Sequence, residues 1–176
     1  MVFPLTFLPK ESYKEGMRRF GANRDGGKRK HAGCDLYAPI GTPVRAVAKG
    51  IITQFKYFYL GTYYLAIDHD DFTCRYGEIK SELPAGIAVG VEVSEGTTIG
   101  YIGHLKGLKM SMLHFEMYSG EATGPLTVKA NKPYQRRSDL LNPTSHLDSW
   151  AAELMAPGLT AFAKPWGSRC IRHDFL

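Results

Sequence analysis

Residues 43–58 read PVRAVAKGIITQFKYF, and TYYLAID (62–68) and FTCRYGEI (72–79) follow closely. These runs decide the fold. They are short, rich in Val, Ile, Tyr, Phe and Thr, and divided by Gly, Pro and Asp signals, and none sustains the apolar period of a long helix. The pattern extends outward to CDLYAP (34–39) on one side and to VEVSEGTTIGYIG (91–103) and MLHFEMY (112–118) on the other. Such spacing predicts an all-β protein, a compact antiparallel β-sandwich or open barrel. Helix is expected only at the margins: one turn within SYKEGMRRFG (12–21), and a peripheral helix in SHLDSWAAELMAPG (145–158) stopped at Pro157 and Gly158. Residues 119–133 are polar and punctuated by Gly and Pro, which suits a long loop beside the last core strand. The expected organisation is one domain over 1–148, with its core at about 20–148, followed by a helix and tail over 149–176.

The 176 residues suffice to bury a proper core, and 44% hydrophobic with 22% charged residues excludes wholesale disorder. No apolar run approaches the roughly 20 residues that cross a bilayer. The start, MVFPLTFLPKES, lacks a basic n-region and carries two prolines, so no cleaved signal peptide is expected. A net charge of +5 is modest, and the basic residues cluster in RRFGANRDGGKRKH (18–31) and KANKPYQRRSD (129–139). These are solvated loops or a hold for an anionic polymer. No helix-turn-helix, zinc-finger spacing or RNP-like run accompanies them, so nucleic acid is not an expected partner. Cys34, Cys74 and Cys170 are odd in number and form no CxxC pair, which argues against a disulfide framework or a Cys-type zinc site. Cys34 and Cys74 can pair if their strands are neighbours.

His31 and Asp35 stand four apart, but Gly33 and Pro39 disfavour a helix there. In a straight strand the two would lie about 13 Å apart, so joint ligation requires a loop-to-strand bend at Gly33. In MLHFE, alternation puts Met112, His114 and Glu116 on one face, with Leu113, Phe115 and Met117 on the other. Two histidines and a carboxylate with an open position form the ligand set of a catalytic zinc site; a satisfied structural histidine is the alternative. His69, among Asp68, Asp70 and Asp71, reads as surface turn chemistry. His146 and His173 receive no role.

The order His31-x-x-x-Asp35, GTPVRAVAKGII (41–52), RYG (75–77), VSEGTTIGYIG (93–103) and LHFE (113–116) resembles the lysostaphin/LytM-type peptidoglycan metallopeptidases over roughly residues 20–148. LNPTSHLD (141–148) resembles the Asp-Pro-containing segment that closes such domains. The resemblance implies a compact antiparallel fold with a groove, His31, Asp35 and His114 as Zn2+ ligands, and short peptides cross-linking bacterial cell wall as substrate. Two catalytic histidines of the family are missing: Met112 stands at one place and Glu78 at the other. A thioether transfers no proton, whereas a carboxylate can activate water. Glu78 is therefore the expected base, and His104 in YIGHLKG (101–107) the candidate donor. Arg75 and Tyr76, which flank Glu78, are expected at the substrate, and Met112 and Glu116 at the border of the ligand sphere.

The resulting expectation is a zinc endopeptidase acting on peptidoglycan peptides. Its alternative is an inactive pseudoenzyme that binds cell wall or a partner protein. VGVEVSEGTTIG (89–100) is similar to turns of lipoyl and biotinyl carriers, and Lys109 in LKM faintly matches a biotinylated lysine, but its flanks are wrong for a modification hairpin. Synthesis in the cytoplasm and delivery to the periplasm or wall by a secretion system or phage tail is the expected route.

Overall fold

The computed structural model describes residues 1–155, so Cys170, His173 and the expected tail lie outside the described residues. Within them the chain forms β1 (Asn23–Arg24), β2 (Arg29–Lys30), β3 (Cys34–Tyr37), β4 (Pro43–Arg45), β5 (Gly50–Tyr57), β6 (Tyr63–Asp68), β7 (Thr73–Ile79), β8 (Glu92–Val93), β9 (Thr98–Tyr101), β10 (Met112–Tyr118), β11 (Leu140–Leu141) and α1 (Thr144–Met155). The main sheet runs β11-β10-β7-β6-β5-β8, with β3 also on β10, and every pairing is antiparallel. Because β3 pairs with residues 112–115 of β10 and β11 with 117–118, both share one edge of β10 while β7 occupies the other. Two smaller pairs, β1-β2 and β4-β9, complete an architecture of β strands with one helix at the side.

One face of the main sheet carries the core. Ile52, Leu65, Ile67, Tyr76, Leu113 and Phe115 alternate onto it and are fully buried. Val44 and Ile99 of the β4-β9 ribbon cover them, as do Phe3 and Leu5 of the N-terminal segment. Each such side chain contributes about 1.5–3 kcal/mol of burial. Arg45 ties the N-terminal segment down by donating to the carbonyls of Phe3 and Leu5 at 2.9 and 2.8 Å. Helix α1 begins where Asn142 Oδ1 accepts the Thr144 N–H, which satisfies one of the helix's orphan donors. It buries Leu147, Trp150 and Ala151 in the same core, with Trp150 edge-on to Phe115 at 6.1 Å. The helix thus crosses the expected boundary at residue 148. Among the described residues no helix is long and apolar enough to cross a membrane.

The other face carries a smaller apolar cluster of Tyr64, Ala66, Tyr118 and Leu126, with Phe58 against it. Leu126 belongs to the expected loop, which folds over this face and is bridged at Thr127 to Arg136, past its expected end at 133. All seven residues of β10 are consequently buried, polar ones included.

Two expectations are corrected here. Cys34 and Cys74 do not pair: β3 and β7 flank β10 on opposite sides, about 9.5 Å apart at the usual strand spacing and beyond the Cα separation of about 7 Å that a disulfide spans, and both are buried free thiols. His69 is not a surface residue. It is 6% exposed, its Nδ1 lies 2.9 Å from Lys49 O, and its Nε2 lies 3.3 Å from the Tyr76 hydroxyl. That hydroxyl also accepts the Val47 N–H at 3.0 Å, so His69 and Tyr76 knit three segments together on the core side.

Candidate metal centre

The bend required at Gly33 is present and has a steric cause. A Cβ at that position would lie 2.3 Å from the carbonyl oxygen of Phe115, so only glycine lets this backbone approach β10 so closely. The turn carries His31 back over Asp35, and β3 lays Asp35 directly opposite His114. Asp35 Oδ1 then lies 3.0 Å from His31 Nε2 and 2.8 Å from His114 Nδ1, while the two ring nitrogens are 3.1 Å apart. All three residues are buried, and these atoms form the group of His, Cys, Asp and Glu side chains able to hold a metal ion among the described residues.

The outer nitrogens fix the inner ones. His31 Nδ1 faces the Arg19 carbonyl at 2.9 Å, so its N–H is donated there and the Nε2 lone pair turns inward. His114 Nε2 faces Glu116 Oε1 at 2.9 Å, which likewise leaves Nδ1 as the inward lone pair. Two ring lone pairs and a carboxylate oxygen therefore converge on one point, an arrangement that repels itself unless a cation stands there. For a tetrahedral ion with bonds of about 2.0–2.1 Å, ligand atoms lie about 3.3 Å apart, close to the separations observed. The donor set fits zinc.

The titration of these groups gives the same picture. Without a cation the inward ring nitrogens carry protons in its place. Burial pushes Asp35 up, but hydrogen bonds from the protonated His114 and His31 then outweigh it and hold the carboxyl well below the usual range. Burial pushes His114 down, yet Asp35 and Glu116 raise it to about 9. His31 is lowered, chiefly by burial. Positive charge is favoured between the carboxylates.

A second layer holds this one. Arg24 Nη2 donates to Asp35 Oδ2 at 3.3 Å and to Met17 O at 2.6 Å, so the outer oxygen of Asp35 is occupied and Oδ1 is left for the ion. Glu116, fully buried, receives Arg75 at 3.1 Å, Arg136 at 2.8 Å and the Tyr118 hydroxyl besides His114. Burial opposes its ionisation, but the two guanidiniums keep it well below the usual carboxylate range.

Glu78 reaches this face by an irregularity. Straight alternation along β7 would send it to the core side with Cys74 and Tyr76. Between Tyr63–Ile79 and Tyr64–Gly77 the register shifts, which leaves Glu78 as the extra residue of a β-bulge with φ of 65°. The bulge returns it to the side of His114, Asp35 and Arg24, whose charges it feels. It is 8% exposed, its Oε2 is buried without a hydrogen-bond partner among the described residues, and burial raises its pKa to about 7.

The remaining expected site residues divide. Met112 is buried at the start of β10 on the same face as His114, and Glu116 sits behind that ligand. Arg75 does not face a substrate: it is 1% exposed, paired to Glu116 and lying 4.4 Å over the Tyr64 ring. Tyr76 points into the core. His104 is exposed in the segment after β9 and makes no hydrogen bond to the ligand residues, so no donor role is built for it. Sequence reasoning missed Arg24, Arg136 and Tyr118. Only Tyr118 carried a signal, since it extends the 112, 114, 116 alternation.

The model of Peptidase family M23 matches residues 29–125, more than half of the chain. The peptidoglycan DD-endopeptidase ShyC of Vibrio cholerae is 30% identical over 101 residues, which cover 56% of this chain and 23% of that protein; the chain thus matches only about a quarter of its length. A zinc-containing peptidase from Vibrio cholerae is similar in structure, with a TM-score of 0.50 and 26% identity over 66% of this chain and 36% of the other. The catalytic domain of lysostaphin from Staphylococcus simulans shares the fold, with a TM-score of 0.56 and 24% identity over 74% of this chain and 89% of the other.

Proposed function

The chain belongs to Peptidase family M23, and from that premise we propose that it is a zinc endopeptidase cutting peptide bonds in bacterial peptidoglycan, with Glu78 as its base. The observation that carries this reading is the unpartnered Oε2 of Glu78, a buried acceptor within range of the charges of the ligand residues His114 and Asp35. His31, Asp35 and His114 would hold the zinc, which when bound would polarise a carbonyl and acidify water. Glu78 takes the proton of the attacking water and delivers it to the nitrogen of the departing peptide. A pKa near 7 suits both tasks, because the group gains and loses a proton with little penalty at neutral pH. Arg24 and Glu116 orient Asp35 and His114, and burial keeps bulk water from competing. Met112, a thioether, exchanges no proton and lies buried two residues before His114 on the same strand face.

The test is turnover of purified peptidoglycan by the zinc-loaded chain. Glu78→Gln is expected to lower it by at least about a hundredfold, within the usual range for a general base, while retaining zinc. Met112 favours one other reading, a wall-binding protein that cleaves nothing. An inactive parent that becomes active with Met112→His and Glu78→His together would establish that second reading and overturn the role of Glu78.

A further inference from the structure

The two basic segments of the sequence, 18–31 and 129–139, are brought side by side by the fold. The Lys30 N–H donates to Pro133 O at 3.0 Å, and the Phe20 ring stacks on Tyr134 at 4.9 Å with 21° between planes. Each segment sends one arginine inward, Arg24 to Asp35 and Arg136 to Glu116. Arg29 and Arg137 are taken by Asp25 and Asp139. Those two are the only acids the segments contain, and both are spent. Arg18 donates to the Ser12 carbonyl at 2.8 Å, and it, Arg19, Lys28, Lys30, Lys129 and Lys132 are left with no carboxylate within 4.0 Å among the described residues; Arg18 and Lys30 are half-buried and the other four exposed. Like charges gathered on one flank repel one another, and an anion docked there relieves that cost.

The flank adjoins the metal centre through the backbone. The carbonyl of Arg19 accepts the ring Nδ1–H of His31, whose backbone N–H donates to the Ala22 carbonyl, and Lys30 precedes His31 in the chain. A polymer whose peptide bond lies at the ligands therefore has its neighbouring groups within reach of these side chains. We propose that this basic flank binds the free carboxylates of the wall peptides on either side of the bond to be cut. This rests on the peptidoglycan reading for the identity of the polymer, while the surface itself rests on the charges. Carboxylates are preferred over the phosphodiesters of a separate wall polymer because the flank is continuous with the ligand His31. A substrate engaged at the ligands brings its own carboxylates to that place.

Binding is measured without turnover, using the zinc-loaded full chain carrying Glu78→Gln and cell-wall sacculi freed of teichoic acid. The protein is expected to sediment with them, with affinity falling about tenfold or more between 50 and 300 mM salt, where the screening length roughly halves. Adding Lys28→Glu, Lys30→Glu and Lys132→Glu should lower affinity by at least about tenfold, with zinc content and melting temperature kept. The milder Lys→Gln changes at these three positions should fall between, and serve if the reversal variant does not fold. Sacculi whose carboxylates have been converted to neutral amides should lose the same factor. The proposal is overturned if the charge changes or the amidation leave binding unaltered, if binding needs teichoic acid to be present, or if a 20-base-pair DNA duplex binds equally well. An inactive parent would sink the catalytic reading and leave this measurement intact.

Discussion

Strands β7 and β10 present two faces that are equally buried and built on opposite principles. The core face carries Cys74, Tyr76, Leu113, Phe115 and Met117, which pack by shape and area. The site face carries Arg75, His114, Glu116 and Tyr118, each closed by a named hydrogen bond or ion pair. Apolar packing tolerates small changes, because a lost methyl forfeits only its own contacts. A buried ionic network does not, since removing one member strands another in a medium that cannot solvate it. Conformational precision at the metal centre is thus bought with charges that the core face has no need of.

The largest effect should come from breaking that network. Arg75→Met leaves Glu116 short of one of its two guanidiniums and should cost about 3–5 kcal/mol, as for other broken buried pairs. Ile67→Val on the apolar face should cost only about 0.5–1.5 kcal/mol. Urea unfolding of the two variants at one pH gives the contrast. A cost below about 1 kcal/mol for Arg75→Met would mean that the site face is not held as an ionic unit.

Next comes the pH dependence of the protein stripped of metal by chelation. Glu78 has its folded-state pKa raised from 4.5 to about 7, so folding binds a proton between those values and stability falls as pH rises through them. The span corresponds to about 3 kcal/mol. His114, raised to about 9 from 6.5, contributes stability present below 6.5 and lost as pH rises through 9. Asp35 and Glu116, both lowered, contribute stability that is lost in acid. His31 and His69, both lowered chiefly by burial, oppose Glu78 below about pH 6.5. The metal-free chain should therefore be most stable between about pH 5 and 6.5 and decline toward pH 9, and Glu78→Gln should lessen the loss up to pH 7 only. A pH dependence of the same slope between pH 5 and 7 in Glu78→Gln would show that another group carries it.

A smaller effect distinguishes the two faces of β10 by metal affinity. Glu116→Gln lets an amide donate to His114 Nε2, which favours the tautomer whose N–H points at the ion position. Zinc affinity, read by competition with a chelator, should fall about 10–100-fold, the usual cost of losing such a partner. Phe115→Leu, one residue away on the opposite face, should leave it unaltered. Equal affinities would remove Glu116 from the support of His114.

What was legible in the sequence follows the same division. Alternation exposed the strands, the core face and the placing of Met112, His114 and Glu116, because a period of two is written in the residue types. The bend at Gly33 was legible too, since no straight chain could join His31 to Asp35. Arg75 was not: guanidiniums are usually exposed, and its burial depends on Glu116, 41 residues on, and on the cover supplied by 119–139. His69 was missed for a related reason, as its acidic neighbours suggest a surface turn while its ring is held by the Lys49 carbonyl. Arg24 and Arg136 sit in loops whose basic composition gives no sign of which charge turns inward.

The bulge at Glu78 left no mark in the pattern, and it supplies the subtlest test. A non-glycine residue in the left-handed region costs about 1–2 kcal/mol, and glycine avoids that cost while adding about 0.5–1 kcal/mol of unfolded-state entropy. Glu78→Ala removes the buried carboxyl but keeps the backbone cost. Glu78→Gly removes both, so it should exceed Glu78→Ala in stability by up to about 1 kcal/mol, or roughly 2–4 °C in melting temperature for a chain of this size. Neither variant should retain peptidase activity, which would make the carboxylate in the bulge a feature that function maintains at a cost in stability. Melting the two metal-free variants at pH 7.5 decides it. If alanine equals or exceeds glycine, the bulge is unstrained, and the buried carboxyl alone is what sets Glu78 apart from the core face it left.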